Sequence, residues 1–284
     1  MFIIFGSIIV LIGVVGGYLM KGGNLQTLCQ PEELIIIGSA TLGSFLISGP
    51  GNIPKYSLKA LVNLLKDGDD KHLYMDLLLC AFDILILARR EGAAHLESHV
   101  NNPDSSIILS KYPRIIRDNE LRNFICDNIK VFVSSSNLDP NEFNKLMEID
   151  ISSHHTEALK TPFILNKVAD TLPGLSIVTA VLGFVLTMSK ASSSPEIFGH
   201  SIATAMVGTF LGILACYGFI GPIATNLEHH ANAKQVRLLV IKAWLNAFVL
   251  GWPPTMAVEF ARRAIPVSQR PGFDELEQIL HGKK

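Results

Sequence analysis

Charged side chains are scarce in this sequence. Asp, Glu, Lys and Arg make up 17% of its 284 residues, whereas 49% of the residues are hydrophobic. An ordinary soluble domain carries about 25% charged residues, so the composition indicates an integral membrane protein. The formal net charge is −1. Because no stripe of Lys and Arg interleaved with aromatic residues is present either, we predict no nucleic acid among the partners.

The short motifs that mark the common enzyme classes are also absent. The sequence contains no phosphate-binding loop, no HExxH zinc motif, no GxSxG nucleophile elbow and no glycine-rich dinucleotide fingerprint. Its four cysteines are scattered and form no CxxC pair. His95 and His99 stand four residues apart on a predicted helix, but no carboxylate or cysteine accompanies them as a metal ligand. We therefore predict no enzyme activity, no cofactor and no metal site.

Four apolar runs are predicted to be membrane-spanning helices, at residues 2–20, 34–49, 171–189 and 197–227. The last two suit a bilayer core about 30 Å thick, which takes roughly 20 helical residues to cross. The short polar link between them predicts a transmembrane hairpin. Residues 2–20 could also be a signal peptide, but they lack a basic n-region and are longer than a usual h-region. We therefore predict a retained first span.

The predicted hairpin contains prolines but no carboxylate. Pro173 lies near the start of its first span and Pro222 near the end of its second. An intramembrane proline usually marks a kink, and the reversal of direction in a hairpin places both prolines toward the same side of the membrane. None of the four predicted spans contains Asp or Glu. An ion-binding carboxylate would then have to come from another chain.

Two pairs of glycines at four-residue spacing lie in the predicted spans, Gly13 with Gly17 and Gly208 with Gly212. This spacing gives a helix a smooth surface that another helix can approach closely. We predict that both surfaces pack against helices of partner chains.

Between the two pairs of spans the sequence becomes charged and amphipathic. Apolar residues recur there at three- and four-residue spacing, at Leu73, Leu77, Cys80, Ile84 and Leu87. Asp76 and Asp83 lie in the same segment, and they favour a bundle helix over a fifth span because a charge at mid-bilayer is costly. Further along, Asp139 followed by Pro140 predicts a helix start. That helix should run to about Lys160 and lead into the span at Thr171 with little break, apart from one at Pro162.

The predicted fold class is all-α, an integral membrane protein with four transmembrane helices and a helical cytoplasmic domain. Residues 1–50 hold transmembrane helices 1 and 2, residues 51–170 a cytoplasmic helical domain, residues 171–227 transmembrane helices 3 and 4, and residues 228–284 a cytoplasmic helical tail. Basic residues follow the second and fourth spans, at Lys55, Lys59, Lys66, Lys234, Arg237 and Lys242. The positive-inside rule therefore places both termini in the cytoplasm.

Several segments match a known family, at residues 112–115, 172–183, 205–214, 217–222 and 253–260. Two spans, a helical region, two more spans and a basic tail follow one another in the order seen in that family. The chain resembles the MotA/TolQ/ExbB family of proton-channel proteins over almost its whole length. Within the family the resemblance is to the flagellar motor stator subunits.

The resemblance implies a multi-pass subunit of the bacterial inner membrane, surrounded by lipid and working with protein partners. Such subunits form a ring, expected here to be a pentamer, around a dimer of a MotB-type peptidoglycan-binding subunit whose Asp carries the ion. Ion flow is then expected to turn the ring against the rotor protein FliG. Sodium-driven relatives carry Thr where Ala180 stands, so the resemblance favours protons. Whether a polar or a lateral flagellum is served stays open.

The resemblance also assigns roles to particular residues. The residues for the ion pathway and torque coupling are Pro173, Ala180, Met206, Thr209, Tyr217 and Pro222. Arg89 and Glu97 match the positions that contact the rotor. Without the resemblance, Arg89 and Glu97 would be taken for an ordinary solvated helix face.

Two other functions remain as alternatives. An energising subunit of an ExbB- or TolQ-like envelope complex would share the channel segments, but those proteins usually have three spans and lack the Arg-x-x-Gly region found here at Arg89 to Gly92. A structural membrane scaffold would use the prolines only as packing kinks. Loss of swimming or swarming on deletion would separate the stator hypothesis from both.

Overall fold

The computed structural model describes residues 2–47, 70–135, 138–189, 191–192 and 194–281, and within them it contains helices and no strand. The α-helices are α1 (Phe2–Met20), α2 (Leu25–Leu28), α3 (Pro31–Ile47), α4 (Asp70–Glu91), α5 (Leu96–Asn101), α6 (Pro113–Arg117), α7 (Asn119–Ser134), α8 (Pro140–Met188), α9 (Pro195–Leu214), α10 (Gly221–Val249), α11 (Pro254–Ala264) and α12 (Phe273–His281). A π-helical segment, Ala215–Ile220, joins α9 to α10. The predicted all-α fold is confirmed. The helix predicted at residues 55–66 and its basic side chains lie outside the described residues.

The chain forms two compact units. We call the unit within Met1–Asp67 and Ala158–His230 the apolar unit, and the unit within Gly68–Glu157 and Ala231–Lys284 the polar unit. The long helices α8 and α10 contribute residues to both units.

The core of the polar unit is built on α4. The apolar positions predicted from its spacing are buried, with Leu77 and Cys80 each 1% exposed, and Leu87 packs against the same cluster. The two acidic residues of α4 lie at the edge of this core, where Asp76 receives a hydrogen bond from Arg114 at 3.0 Å and Asp83 one from Tyr112 at 2.8 Å. Asp83 also lies 3.6 Å from the Nζ of Lys111. A helix this apolar can keep two carboxylates because each has a hydrogen-bond donor and a nearby cation.

Helix α8 is a single helix of 49 residues that contains both Pro162 and Pro173. The break predicted at Pro162 is therefore wrong. A proline inside a helix removes one hydrogen bond and disfavours the helix by about 3 kcal/mol, which predicts a kink or an end in isolation. Buried residues on both sides of Pro162, Ile151 and Ile164 among them, supply the packing that keeps the helix continuous.

Three helices of the described part are long and apolar enough to cross a membrane: Ile3–Met20, Pro140–Met188 and the continuous helical stretch Pro195–Val249. The first lies within α1, whose bounds, Phe2–Met20, are those that the sequence predicts for the retained span. The predicted second span corresponds to α3, which has 17 residues in the described part of the chain.

Candidate functional site

Helix α9 and the π segment that follows it have one buried face and one exposed face. Gly208, Gly212 and Cys216 are buried and spaced four residues apart, so they share one face of α9 and the π segment. On the other face Met206 is 60% exposed and Tyr217 is 73% exposed. The apolar unit thus packs one face of this helix internally and leaves the other open.

The glycines of the buried face allow α9 to lie close to α8. A Cβ added at Gly212 would overlap the side chain of Ser176, coming within 2.6 Å of its Oγ and 3.2 Å of the Leu172 carbonyl oxygen. The prediction that Gly208 and Gly212 pack against partner chains is therefore wrong, because their own chain occupies this face. Gly13 and Gly17 have nothing of the described chain within 4 Å of an added Cβ, so their predicted role stays a prediction.

On α8 the two predicted site residues, Pro173 and Ala180, are both half-buried and lie seven residues apart on one face. Pro173 lacks an N–H, so the carbonyl four residues before it loses its usual helical donor. Hydroxyl groups add hydrogen bonds to nearby carbonyls, as Ser176 does to the Pro173 oxygen at 2.8 Å and Thr179 to the Leu175 oxygen at 3.1 Å. Such side-chain bonds help a proline-containing helix persist in a membrane.

The π segment ends one residue before Pro222. Its last turn is closed by the Gly221 N–H, which donates to the carbonyl of Cys216, five residues back. The wider turn suits a following proline, because Pro222 has no N–H to donate and its ring needs space from the preceding turn. A Cβ added at Gly221 would lie 3.0 Å from that same carbonyl oxygen. The helix type therefore changes directly before Pro222, and the kink predicted there stays a prediction.

A cleft of about 490 Å³ opens beside this π segment. Its lining residues are Asn166, Ala169, Asp170, Cys216, Tyr217, Gly221, Pro222, Thr225, Asn226 and His229. The structure therefore brings two predicted site residues, Tyr217 and Pro222, together with two titratable side chains that the sequence analysis passed over. Asp170 immediately precedes the apolar run, and its position at that boundary was the signal that could have identified it.

One carboxylate lies among the apolar helices. Glu33 is in the first turn of α3 and is 8% exposed, with its side chain against α8 and α9. Glu33 stands one residue before the second predicted span. The predicted span began at Leu34, whereas the helix begins at Pro31, since a proline is favoured at the first helical position.

The two residues predicted to contact a rotor lie on the surface of the polar unit. Arg89 is in the last turn of α4 and Glu97 in the first turn of α5, and both are exposed. Between them Gly92 has a φ of +89° with open space around it. A residue with a Cβ would be strained there, so the turn that separates Arg89 from Glu97 requires glycine.

Within the described part of the chain no group of three or more His, Cys, Asp or Glu side chains is placed to hold a metal ion. His99 Nδ1 lies 2.9 Å from the Oγ of Ser106. This contact ties the His99 ring to its own unit.

Comparison with known proteins places these features in a family. Residues 4–92 match the sequence model described as motility protein A N-terminal, and residues 116–238 match that of the MotA/TolQ/ExbB proton channel family. Motility protein A of Escherichia coli is 39% identical over 285 residues, an alignment that covers 100% of this chain and 96% of the relative. The chain belongs to the motility protein A branch of the MotA/TolQ/ExbB proton channel family. Membership and the apolar helices make it a multi-pass protein of the inner membrane.

Two solved structures share the fold of this motility protein A homologue. A chain of MotAB from C. jejuni superposes with a TM-score of 0.78 at 20% identity, covering 93% of this chain and 95% of that one. A chain of the flagellar MotAB stator complex from Bacillus subtilis gives a TM-score of 0.76 at 20% identity, covering 94% and 97%. These superpositions extend the likeness in fold to nearly the full length.

Proposed function

We propose that this chain is the stator subunit of a bacterial flagellar motor, which forms an ion channel with a MotB-type partner and converts ion flow into torque on the rotor. The open face of α9 that carries Met206 and Tyr217 is the observation that supports this most directly. An apolar helix whose one face is packed and whose other face is left open offers a surface for a further helix. The relatives and the flagellar stator complex with the same fold point to a MotB-type helix as the occupant.

The coupling ion in this proposal is the proton. Ala180 is half-buried on α8 and has no hydroxyl, whereas a sodium ion is held by several oxygen ligands. The aspartate of the partner would bind and release the proton beside Thr209 and Tyr217. The cleft at Pro222, with Asp170 and His229 on its wall, would receive it on the other side.

In the membrane we propose four spans, with α3 as the second, and both termini in the cytoplasm. The polar unit is then cytoplasmic, and its exposed Arg89 and Glu97 face the rotor protein FliG. Opposite charges on two exposed surfaces steer association at long range without high affinity. Several copies, five in our proposal, would surround the partner dimer, so that the open faces of all copies are occupied.

The match of residues 4–92 to the motility protein A N-terminal model favours the stator over an ExbB- or TolQ-like energising subunit. That segment includes α1, α3 and the turn after Arg89. An ExbB- or TolQ-like subunit touches no rotor and would not need that turn. Only a flagellar function predicts that motility depends on this chain.

The test is complementation of a strain that lacks this gene, with the MotB-type partner present. We expect wild type to restore swimming in sodium-free medium and Pro173→Ala to restore little or none, because the proline organises α8 next to the path. Gly174→Ala, at an open position one residue on, serves as the matched control and should swim. Unchanged motility after deletion would contradict the flagellar assignment, and swimming only with sodium would contradict the proton.

A further inference from the structure

An exposed row of uncharged residues runs along α8 within the polar unit. Leu146 is 42% exposed and Ile149 is 73% exposed, and the exposed Ser153 and Thr156 continue the row. We call these four residues the α8 row. Their spacing of three, four and three residues is that of the contact positions in a coiled coil. One position further toward the helix start lies the exposed Glu142, so the row has a charged edge. The α8 row is thus patterned to receive another helix.

A second row of the same kind lies on α10 and the residue that follows it. Leu239 is 38% exposed and Leu250 is 58% exposed, and Ala243 and Asn246 lie half-buried between them. We call these four residues the α10 row, and their spacing of four, three and four again fits a coiled coil. It contains no charged side chain either. Depletion of charge distinguishes the centre of a protein interface from the rest of a surface, so both rows have the composition of an interface.

The two rows lie at the same level of the polar unit. Asn246 donates from Nδ2 to the Asn144 Oδ1 at 2.7 Å, and Lys242 donates from Nζ to the Glu148 Oε1 at 2.7 Å. These two pairs show that α8 and α10 run antiparallel here, and they mark which residues stand beside one another. By this alignment the first half of the α8 row and the first half of the α10 row overlap along the helix axis.

The α8 row points away from the α10 helix of its own chain. Asn144 faces α10, since its side chain bonds to Asn246. At 100° per residue, Leu146 is turned by about 200° from Asn144 and Ile149 by about 140°. The α8 row of a chain therefore cannot pack against the α10 row of the same chain, and each row needs an occupant from outside.

We propose that the α8 row of one copy of this chain packs against the α10 row of the next copy. A ring closes through contacts in which one surface of a subunit meets a different surface of its neighbour, and the two rows are such a pair. Rotation about an axis parallel to α8 keeps every residue at its level, so rows at one level meet without sliding. This inference rests on the proposed stator function, which requires a ring, and it names the surfaces that join the copies.

The test is disulfide cross-linking in isolated membranes that hold the complete complex, with Cys29, the exposed cysteine, changed to Ser. A chain with Ile149→Cys and Leu239→Cys should form a ladder of dimers and larger products on oxidation, because each copy joins two neighbours. Either variant alone should give no dimer, and the two expressed together should give dimers. Asp127→Cys with Leu239→Cys, at an exposed position on α7, is the matched control and should give no ladder.

Several results would overturn the proposed contact. Dimers from Ile149→Cys alone would show that the α8 row meets itself. Absence of a ladder both from this pair and from Leu146→Cys with Ala243→Cys would show that the rows do not meet. A photoreactive benzoylphenylalanine at position 149 identifies the occupant directly: we expect capture of a second, differently tagged copy, whereas capture of the MotB-type partner or of FliG instead would refute the proposal.

A charge placed in the α8 row tests its contribution to assembly. Ile149→Glu would bury a carboxylate in the contact, so we expect the fraction of chain in ring-sized complexes on native electrophoresis to fall about tenfold or more. Ile107→Glu is the matched control, since Ile107 is 75% exposed in the same unit and lies outside both rows. It should assemble as wild type does. Equal assembly of wild type and Ile149→Glu, or an equal loss in both variants, would contradict the proposal.

The outcomes separate this proposal from the proposed function. If the ladder forms but deletion of the chain leaves swimming unchanged, the contact stands and the flagellar function fails. If swimming depends on the chain but neither cysteine pair gives a ladder, the function stands and only the assigned surfaces are refuted.

Discussion

At the scale of single residues, the polar unit depends on a few carboxylates with defined partners. Arg262 donates two hydrogen bonds to the Glu259 carboxylate, at 2.7 and 2.8 Å, and Arg263 a third at 2.9 Å. Glu259 is 17% exposed and Arg262 is 12% exposed. The hydrogen bonds from Arg262 hold the pKa of the Glu259 carboxyl below its ordinary value. This arrangement makes Glu259 both a structural anchor for α11 and a source of pH dependence.

We expect Glu259→Gln to destabilise the polar unit by about 2 kcal/mol, because it leaves a partly buried guanidinium without its charged acceptor. A carboxyl with a lowered folded-state pKa stabilises above its unfolded pKa, near 4.3, and this stabilisation is lost as the pH falls through the folded value. The gap in unfolding temperature between wild type and variant should therefore be constant above about pH 5.5 and shrink below about pH 4.

Tryptophan fluorescence of the purified protein measures this unfolding, since both tryptophans, the buried Trp244 and the surface Trp252, belong to the polar unit. Glu91→Gln, at an exposed carboxylate on α4, is the matched control and should unfold as wild type does. An equal gap at every pH would show that the charge of Glu259 does not matter.

At the scale of helices, α8 and α9 pack through an unusually close approach. Gly212 faces Ser176, and no side chain fits between them. The sequence shows the four-residue spacing of the glycines, and its apolar runs predicted both helices. It could not predict which helix would occupy the glycine face, because GxxxG spacing describes a surface and not its partner.

We expect Gly212→Ala to lower both the amount of assembled protein and motility, because its methyl group would overlap Ser176. Adding Ser176→Gly should recover part of the loss, since it removes the overlapping atoms. Soft-agar swimming and membrane protein levels measure both effects. Gly174→Ala, in an open position on α8, should be neutral or stabilising by up to about 1 kcal/mol. If Ser176→Gly does not rescue Gly212→Ala, the loss of assembly and motility does not come from the contact with Ser176.

The carboxylate of Glu33 shows why some of the site could not be predicted. The apolar run begins at Leu34, so hydropathy alone excludes Glu33 from the span. The helix starts three residues earlier, and burial of Glu33 arises from contact with α8 and α9, residues far away in sequence. The resemblance, by contrast, identified Tyr217 and Pro222, and the structure brings both to one cleft. Local signals predicted the elements, and tertiary contacts determined which side chains they enclose.

At the scale of the whole molecule, the proposed function needs conduction and rotor contact to be separable. The candidate path residues lie in the apolar unit and the candidate rotor residues in the polar unit. Arg89 and Arg90 are adjacent and exposed, and the resemblance selects only Arg89. This pair therefore provides a matched comparison.

We expect Arg89→Ala to abolish or strongly reduce swimming while cytoplasmic acidification after an acid pulse stays at the wild-type rate. Arg90→Ala should swim normally. The physical reason is that an exposed charge steers the rotor surface but is remote in sequence from the predicted ion-path residues. If Arg89→Ala stops proton entry as well, or if Arg90→Ala has the larger effect, the assigned rotor contact is wrong.

The π segment between α9 and α10 contains one more residue per turn than the helix on either side. One extra residue rotates the directions of all later side chains by about 100° around the axis of an ideal helix. The face that Pro222 and His229 share is therefore rotated away from the face on which Met206 lies. Deleting a single residue between Ala215 and Ile220 would restore regular phase and move those side chains away from Asp170. The helix would be more regular, and its cleft would be lost.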